Sequence, residues 1–457
     1  MLKADMSTAD WRALDQAHHV HSFTDPRAMN VKGTRVITRA DGVYVWDSDG
    51  AKLLDAMAGL WCVNVGYGRK ELVEAGRAQM EVLPYYNNHF QSATPQMIEL
   101  ASLIAEVTPP GLDQIVFANS GSEAIDTVLR MVRHFWRLQG RPSKQIFIGR
   151  SLGYHGSTLA ATSLGGMAHM HGMDNALLPG FEHIGHPHWY TQGGDLTPEA
   201  FGLEAARELE AKILELGPEN VAAFIGEPVQ GAGGVIVPPS TYWPEIQRIC
   251  RLYDVLLVAD EVICGFGRTG SWFGSQTFGI EPDLMTMAKG LSSGYVPISA
   301  VAMNARVADT INQGGLIAHG YTYSGHPVAC AVAIENIGII RREGLVERVR
   351  EDVGPYLQSR LQQLAEESPI VGEVRGVGLM AALQLVRDKA TREVCTAEDN
   401  AAILCRDYAA DNGLIARALG QAMALSPPLT ITRGEIDELI SKLGSALDHT
   451  ARALGRL

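Results

Sequence analysis

Short apolar runs alternate with longer stretches of helical periodicity from Gln114 onward. The runs are Gln114 to Ala118, Gln145 to Ile148, Val221 to Ile225, Val255 to Ala259, Leu284 to Met287 and Ile298 to Met303. This texture is the signature of a mostly parallel sheet covered by helices on both faces, and it places the chain in the α/β class. Ahead of it lie a candidate helix and a hairpin-like stretch, Gly42 to Gly50 (GVYVWDSDG). Behind it, after a helix beginning near His326, come an amphipathic helical region, the strand-like Gly378 to Val386 (GLMAALQLV), a second pair of strands and a closing helix. The expected organisation is an N-terminal segment, 1–60, packing with the small domain, a large domain, 61–330, and a small α+β domain, 331–457.

Composition narrows the function classes. A chain of 457 residues with 46% hydrophobic and 19% charged residues supports two or three domains with a large core. The net charge is −13 and no block of lysine and arginine is present to track a phosphate backbone, so nucleic acid is not an expected partner. The opening MLKADMSTAD has no apolar core of signal-peptide length, and no later run is long enough to span a bilayer, so no membrane partner and a cytoplasmic location are expected. Cys62, Cys250, Cys264, Cys330, Cys395 and Cys405 show no CxxC spacing and read as reduced core thiols, with no metal suggested by them.

In open α/β sheets ligands bind beyond the carboxyl ends of the strands, and here five such ends carry chemistry. Lys289 closes DLMTMAKG and Asp260 closes VLLVAD. A lysine where a buried strand gives out loses hydration and can form an imine with a carbonyl compound, and an aspartate at a neighbouring end can hold a pyridinium nitrogen protonated. That pair is what a pyridoxal phosphate site asks of a protein. Asn119 to Glu123 (NSGSE) opens a helix toward Phe135, with Ser120 and Glu123 spaced as a capping box and with amide groups available for a phosphate. Gly153-Tyr154-His155-Gly156 could lay an aromatic ring over a flat ligand, and Glu227-Pro228 ends the third run. Each feature alone is explained by ordinary capping, turns and strand punctuation. Five on one rim, expected in sheet order, point to a pyridoxal phosphate site.

Two competing signals fail on context. Gly265 to Gly270 (GFGRTG) fits G-x-G-x-x-G, but Asp260 to Cys264 separate it from the strand and no helix pattern follows, against a dinucleotide-binding oxidoreductase. His169, His171, His183, His186 and His188 lie among glycine, proline and methionine without H-E-x-x-H spacing, and read as surface histidines in an irregular loop.

The ordered set SGSEA (Ser120 to Ala124), GYHG (Gly153 to Gly156), GEPVQGAGG (Gly226 to Gly234), DEVICGFGRTG (Asp260 to Gly270), AKG (Ala288 to Gly290) and YTYSGHP (Tyr321 to Pro327) resembles class III aminotransferases, and within them the ω-transaminases. The resemblance spans nearly the whole chain. It implies the fold-type I architecture, pyridoxal 5′-phosphate as cofactor, and a homodimer with active sites at the subunit interface, dimer and tetramer both remaining open. It implies Lys289 as the Schiff-base lysine, Asp260 as the pyridinium partner, and Gly121 and Ser122 in the phosphate cup, completed by Thr322 of the other subunit. Tyr154 and Val262 would flank the ring, with Glu227 beside it. Phe23, Trp61, His89 and Phe90, together with Tyr154, would wall the substrate pocket. Related enzymes often carry two aromatic residues where His89-Phe90 stands, so His89 makes this pocket more polar. Arg417, before a glycine-containing loop, would bind a substrate carboxylate by two hydrogen bonds and swing aside for amines lacking one.

The expected activity is ping-pong transfer of an amino group from an amine or ω-amino acid to an α-keto acid such as pyruvate. An aminomutase or racemase of the same fold, a nicotinamide-dependent oxidoreductase, and a catalytically silent binding protein are the alternatives. Absence of net amino transfer to added keto acid, nicotinamide fluorescence changes, and lack of a borohydride-trappable cofactor would respectively mark them.

Overall fold

A computed structural model describes residues 6–174 and 177–457. The N-terminal strands are β1 (Ile37–Asp41), β2 (Tyr44–Asp47) and β3 (Lys52–Asp55). The large sheet holds β4 (Leu112–Ala118), β5 (Ile146–Arg150), β6 (Phe181–Ile184), β7 (Val221–Gly226), β8 (Leu256–Asp260), β9 (Leu284–Met287) and β10 (Ser299–Asn304). The C-terminal strands are β11 (Val371–Val377), β12 (Met380–Asp388), β13 (Glu393–Val394), β14 (Leu414–Ile415), β15 (Arg417–Leu419) and β16 (Ala422–Leu425).

Strands β7, β8 and β9 are buried at every position, the physical reason their sequences read as continuous apolar runs rather than as alternation. Successive residues of β8 face opposite layers. Leu256 and Val258 pack in the core that contains Ile125 and Val128 of the Gly121–Leu138 helix, and Leu257 packs in the core that contains Ile246 and Ile249 of the Tyr242–Leu252 helix.

The order across the large sheet is β4-β10-β9-β8-β7-β5-β6, with β10 antiparallel to both β4 and β9. The five chemically loaded ends therefore do not follow one another in sheet order. Strand β10 stands between β4 and β9 and, running the other way, brings its amino end, Pro297 to Ser299, to the same rim.

Three further readings change. The stretch Gly42 to Gly50 holds one strand, β2, between two hairpin turns: Gly42-Val43 joins it to β1 and Ser48 to Ala51 joins it to β3. An extra edge strand, β6, adds to β5, and its half-buried, half-polar sequence FEHI explains why no apolar run announced it. The histidine-rich stretch is only partly irregular, and of its five histidines His169 alone is exposed. The stretch contains the helix Ala168–Asp174 and β6, His183 and His186 are half-buried, and His188 is buried.

Burial holds the His186 pKa down to about 4 from 6.5, and its Nδ1 lies 3.0 Å from Ser151 Oγ. Below about pH 6.5 the unfolded chain binds a proton that native His186 refuses, so folding stability attributable to this residue is lost as pH falls toward about 4. The limiting slope is about 1.4 kcal/mol per pH unit for one proton, less at a half-buried site. Denaturation midpoints of wild type and His186→Asn are expected to converge as pH is lowered through this window. A pH-independent difference would contradict that origin.

The C-terminal sheet has the order β11-β12-β16-β15, with β13 on β12, and β14 runs parallel to β3 and ties the N-terminal strands to the last third of the chain. All six cysteines are free, five buried and Cys62 half-buried. Among the described residues no helix is long and apolar enough to cross a membrane.

Candidate active site

Strand β8 ends on Asp260, and β9 pairs with it so that Asp260 stands opposite Thr286. The chain leaves β9 through Ala288 into a short 3-10 turn, Lys289–Leu291, with Lys289 at φ +43°. A lysine in the left-handed region is strained, and such strain concentrates at functional positions. The turn presents Lys289 and Asp260 to one cavity of about 430 Å³. Burial lowers the Lys289 pKa below that of an ordinary lysine, and the nearby Asp260 carboxylate partly opposes the shift. Among the described residues nothing hydrogen-bonds to Lys289 Nζ, so a half-buried amine opens onto the cavity without a partner.

Asp260 is 3% exposed and both its oxygens are engaged. Oδ1 accepts from the Val262 amide (3.1 Å) and from Thr286 Oγ1 (3.0 Å), and Oδ2 lies 2.7 Å from His155 Nδ1, which as the only hydrogen carrier of the two donates. The carboxylate is held in one orientation. His155 and Thr286 were not singled out from sequence. The signal for Thr286 was a lone hydroxyl in the otherwise apolar run LMTM, and for His155 its place inside GYHG.

Glu227, 3% exposed, accepts from the Tyr154 amide (3.1 Å) at Oε1 and from the Gly231 amide (2.9 Å) at Oε2, and burial raises its pKa. The backbone carbonyl of Glu227 accepts a further bond from the buried Arg150 guanidinium.

The Gly121–Leu138 helix begins at the wall of the same cavity. Ser120 Oγ caps it by accepting from the Glu123 amide (3.2 Å), but the Glu123 carboxylate reaches the Asn119 amide (2.7 Å) instead of Ser120, so the expected capping box closes one residue early. The Gly121 and Ser122 amides have no acceptor among the described residues. A Cβ on Gly121 would come within 3.3 Å of Val262 Cγ1, and one on Gly156 within 2.4 Å of Ser122 Oγ. Glycine is required where the GYHG turn meets the helix start, and Gly156 is at φ +137°.

The cavity thus offers amide N–H groups at the positive end of a helix, a tyrosine and a valine at its sides, a buried oriented carboxylate, and an amine with no partner. This donor set fits a flat, phosphorylated pyridine aldehyde. Such a group supplies an electron sink for a carbanion when bound.

Of the other expected residues, Phe23 sets its ring edge toward Tyr154, centroids 6.5 Å apart, and Trp61 is buried with a strained φ of +64°. Arg417 opens β15, is half-buried, and contributes to the lowered Lys289 pKa. None of Phe23, Trp61, Arg417, His89, Phe90 and Thr322 is among the residues that line this cavity within one chain. His89 Nε2 contacts the Tyr321 carbonyl (3.1 Å), Phe90 is 95% exposed, and exposed Thr322 accepts from the Tyr85 hydroxyl (2.7 Å) through its own carbonyl.

Fold and rim together define a pyridoxal-phosphate-dependent enzyme of fold type I. The family model described as Aminotransferase class-III matches residues 27–447, and the chain belongs to that family. It is 57% identical to a putrescine–pyruvate aminotransferase of Pseudomonas aeruginosa over 447 residues, covering 98% of both chains. It is 43% identical to a diaminobutyrate–2-oxoglutarate transaminase of Halomonas elongata, covering 92% of both. The solved ω-transaminase of Pseudomonas jessenii in complex with PMP superposes with a TM-score of 0.95 at 44% identity, over 97% of this chain and 99% of that one.

Proposed function

We propose that the protein moves an amino group from a short-chain compound bearing a terminal primary amine to pyruvate. The observation that carries this is the partnerless Lys289 amine sharing one cavity with the fixed Asp260 carboxylate. In this reading Lys289 Nζ takes the proton from the donor carbon and returns it in the second half-reaction, its lowered pKa favouring the neutral base at working pH. Asp260 keeps a proton on the ring nitrogen. The Gly121 and Ser122 amides hold the phosphate, Tyr154 and Val262 hold the ring, and Glu227 shapes the charge beside it.

The donor class is supported by the relatives, whose named substrates, putrescine, diaminobutyrate and γ-aminobutyrate, share a terminal amine and a second polar group along a short chain. A panel of diamines, ω-amino acids and aryl amines tested with pyruvate, following alanine, decides it. No alanine from any terminal amine would overturn the reading.

We further propose a homodimer in which His89, Phe90 and Thr322 of one subunit complete the other's site. Support comes from the exposure of Phe90, Thr322 and Tyr323, with half-buried His89 held beside them on Tyr321, on loops that one chain leaves apart from the cavity. The sheets support a division into 1–60, 61–330 and 331–457, with β14 on β3 joining the first part to the last.

Arg417 separates the two substrates. Burial lowers its pKa, yet a guanidinium remains charged, and it would bind the pyruvate or alanine carboxylate through two charge-assisted bonds. Arg417→Ala is expected to weaken the alanine and pyruvate half-reaction by roughly 30–1,000-fold, about 2–4 kcal/mol, while nearly sparing that of a carboxylate-free amine. Stopped-flow measurement of each half-reaction checks it, and equal small losses would make Arg417 a mere surface charge.

A further inference from the structure

Arg375 lies on β11 of the C-terminal sheet, 9% exposed, and its guanidinium points across to the large sheet's loops. Its Nη1 donates to Glu373 Oε2 (2.7 Å) and to Gln384 Oε1 (3.2 Å), and Glu373 Oε2 also meets His188 Nε2 at 2.9 Å. A guanidinium taken out of water needs such partners. Its Nε is spent elsewhere, donating 2.9 Å to the carbonyl of Gly234, a residue 141 positions away.

From there a chain of hydrogen bonds leads to the cavity. The Gly234 amide donates to the Gly231 carbonyl (3.1 Å), the Gly231 amide to Glu227 Oε2 (2.9 Å), and the Tyr154 amide to Glu227 Oε1 (3.1 Å). The loop bearing the middle of this chain belongs to no helix or strand, and two of its residues are outside ordinary backbone space, Gly234 at φ +120° and Val235 at φ +53°. A single antiparallel bridge, Gln230 to Ile236 (3.1 and 3.0 Å), closes this loop on itself, and the bond from Arg375 to the Gly234 carbonyl ties it to the C-terminal sheet.

We propose that Arg375 is a positioning residue for the reaction: through the Gly234 carbonyl it sets where Glu227 and the Tyr154 turn stand against the cofactor. It thereby registers the C-terminal sheet, which also carries Arg417, against the catalytic rim. The inference rests on the reading of this cavity as the cofactor site.

The test uses the holoenzyme with Arg375→Met, Arg375→Lys, Glu227→Gln and the Arg375→Met/Glu227→Gln pair. Turnover, the pH titration of the bound cofactor's absorption band, and the thermal midpoint are measured on each. Arg375→Met is expected to lower kcat roughly 10–100-fold and to move the absorption titration by about 0.5 pH unit or more, with Arg375→Lys recovering part of both. In the Glu227→Gln background the same change is expected to cost no more than about twofold, because the route through Glu227 is already cut. A lowered thermal midpoint with kcat and the titration unmoved would overturn the proposal, as would losses that multiply in the double variant. If Arg375→Met does not fold, Arg375→Lys read in the same assays decides by the same criteria. A wild-type protein with no cofactor absorption would instead defeat the cofactor reading itself.

Discussion

Replacing Lys289 with alanine is expected to leave cofactor binding measurable and to reduce turnover by roughly 10⁴-fold or more, since in the proposed reaction one residue supplies both the covalent attachment and the proton acceptor. Binding survives because the helix amides, Tyr154 and Asp260 are independent of the lysine. Borohydride reduction of the wild type should fix the cofactor to Lys289 and to no other site. A competing buried lysine makes the test sharp. Burial pushes the Lys144 pKa down to about 8, but its ammonium is committed to the carbonyls of Val221 and Asp254, both at 2.8 Å, beside the start of β7 and just before β8. It stands at the edge opposite the catalytic rim. Peptide mapping that placed the reduced cofactor on Lys144 would overturn the assignment.

Asp260→Asn should be nearly as damaging to chemistry, by roughly 10²–10³-fold in the proton-abstraction step, with a much smaller effect on cofactor affinity. The substitution keeps the shape but removes the charge that, in the proposed reaction, holds a proton on the ring nitrogen. It also disturbs the local bonds. An asparagine oxygen can still accept from Val262 and Thr286, but its amide nitrogen would confront His155 Nδ1, which must then become an acceptor and change tautomer. Single-turnover rates with a good amine donor report the loss directly. Rates within about threefold of wild type would show that Asp260 does not set the protonation of the ring.

Much of the sheet and the heart of the site were legible in the sequence because both depend on local burial. A strand covered on two faces must be apolar throughout, so β7, β8 and β9 announced themselves, and a charged residue ending such a run, as Asp260 and Lys289 do, stood out against it. Where burial is one-sided or polar the signal vanished. Strand β6 passed unseen, and the histidines around it looked solvated although His188 is 7% exposed.

What only the tertiary structure decided is who meets whom. The insertion of β10 between β4 and β9 depends on how crossovers pack, not on any one run, and it reordered the rim. Two of the three donors fixing Asp260 come from the neighbouring strand and from His155, 105 residues away, and the grip of Arg375 on Gly234 spans 141. The Thr286 contact arises because β8 and β9 are hydrogen-bonded neighbours, about 4.8 Å apart, and the others because loops and a second sheet pack onto the same rim, which no spacing in the sequence encodes. The same physics separates His89, Phe90 and Thr322 from the cavity of their own chain. Their motifs were readable, but one folded chain does not bring them to that cavity.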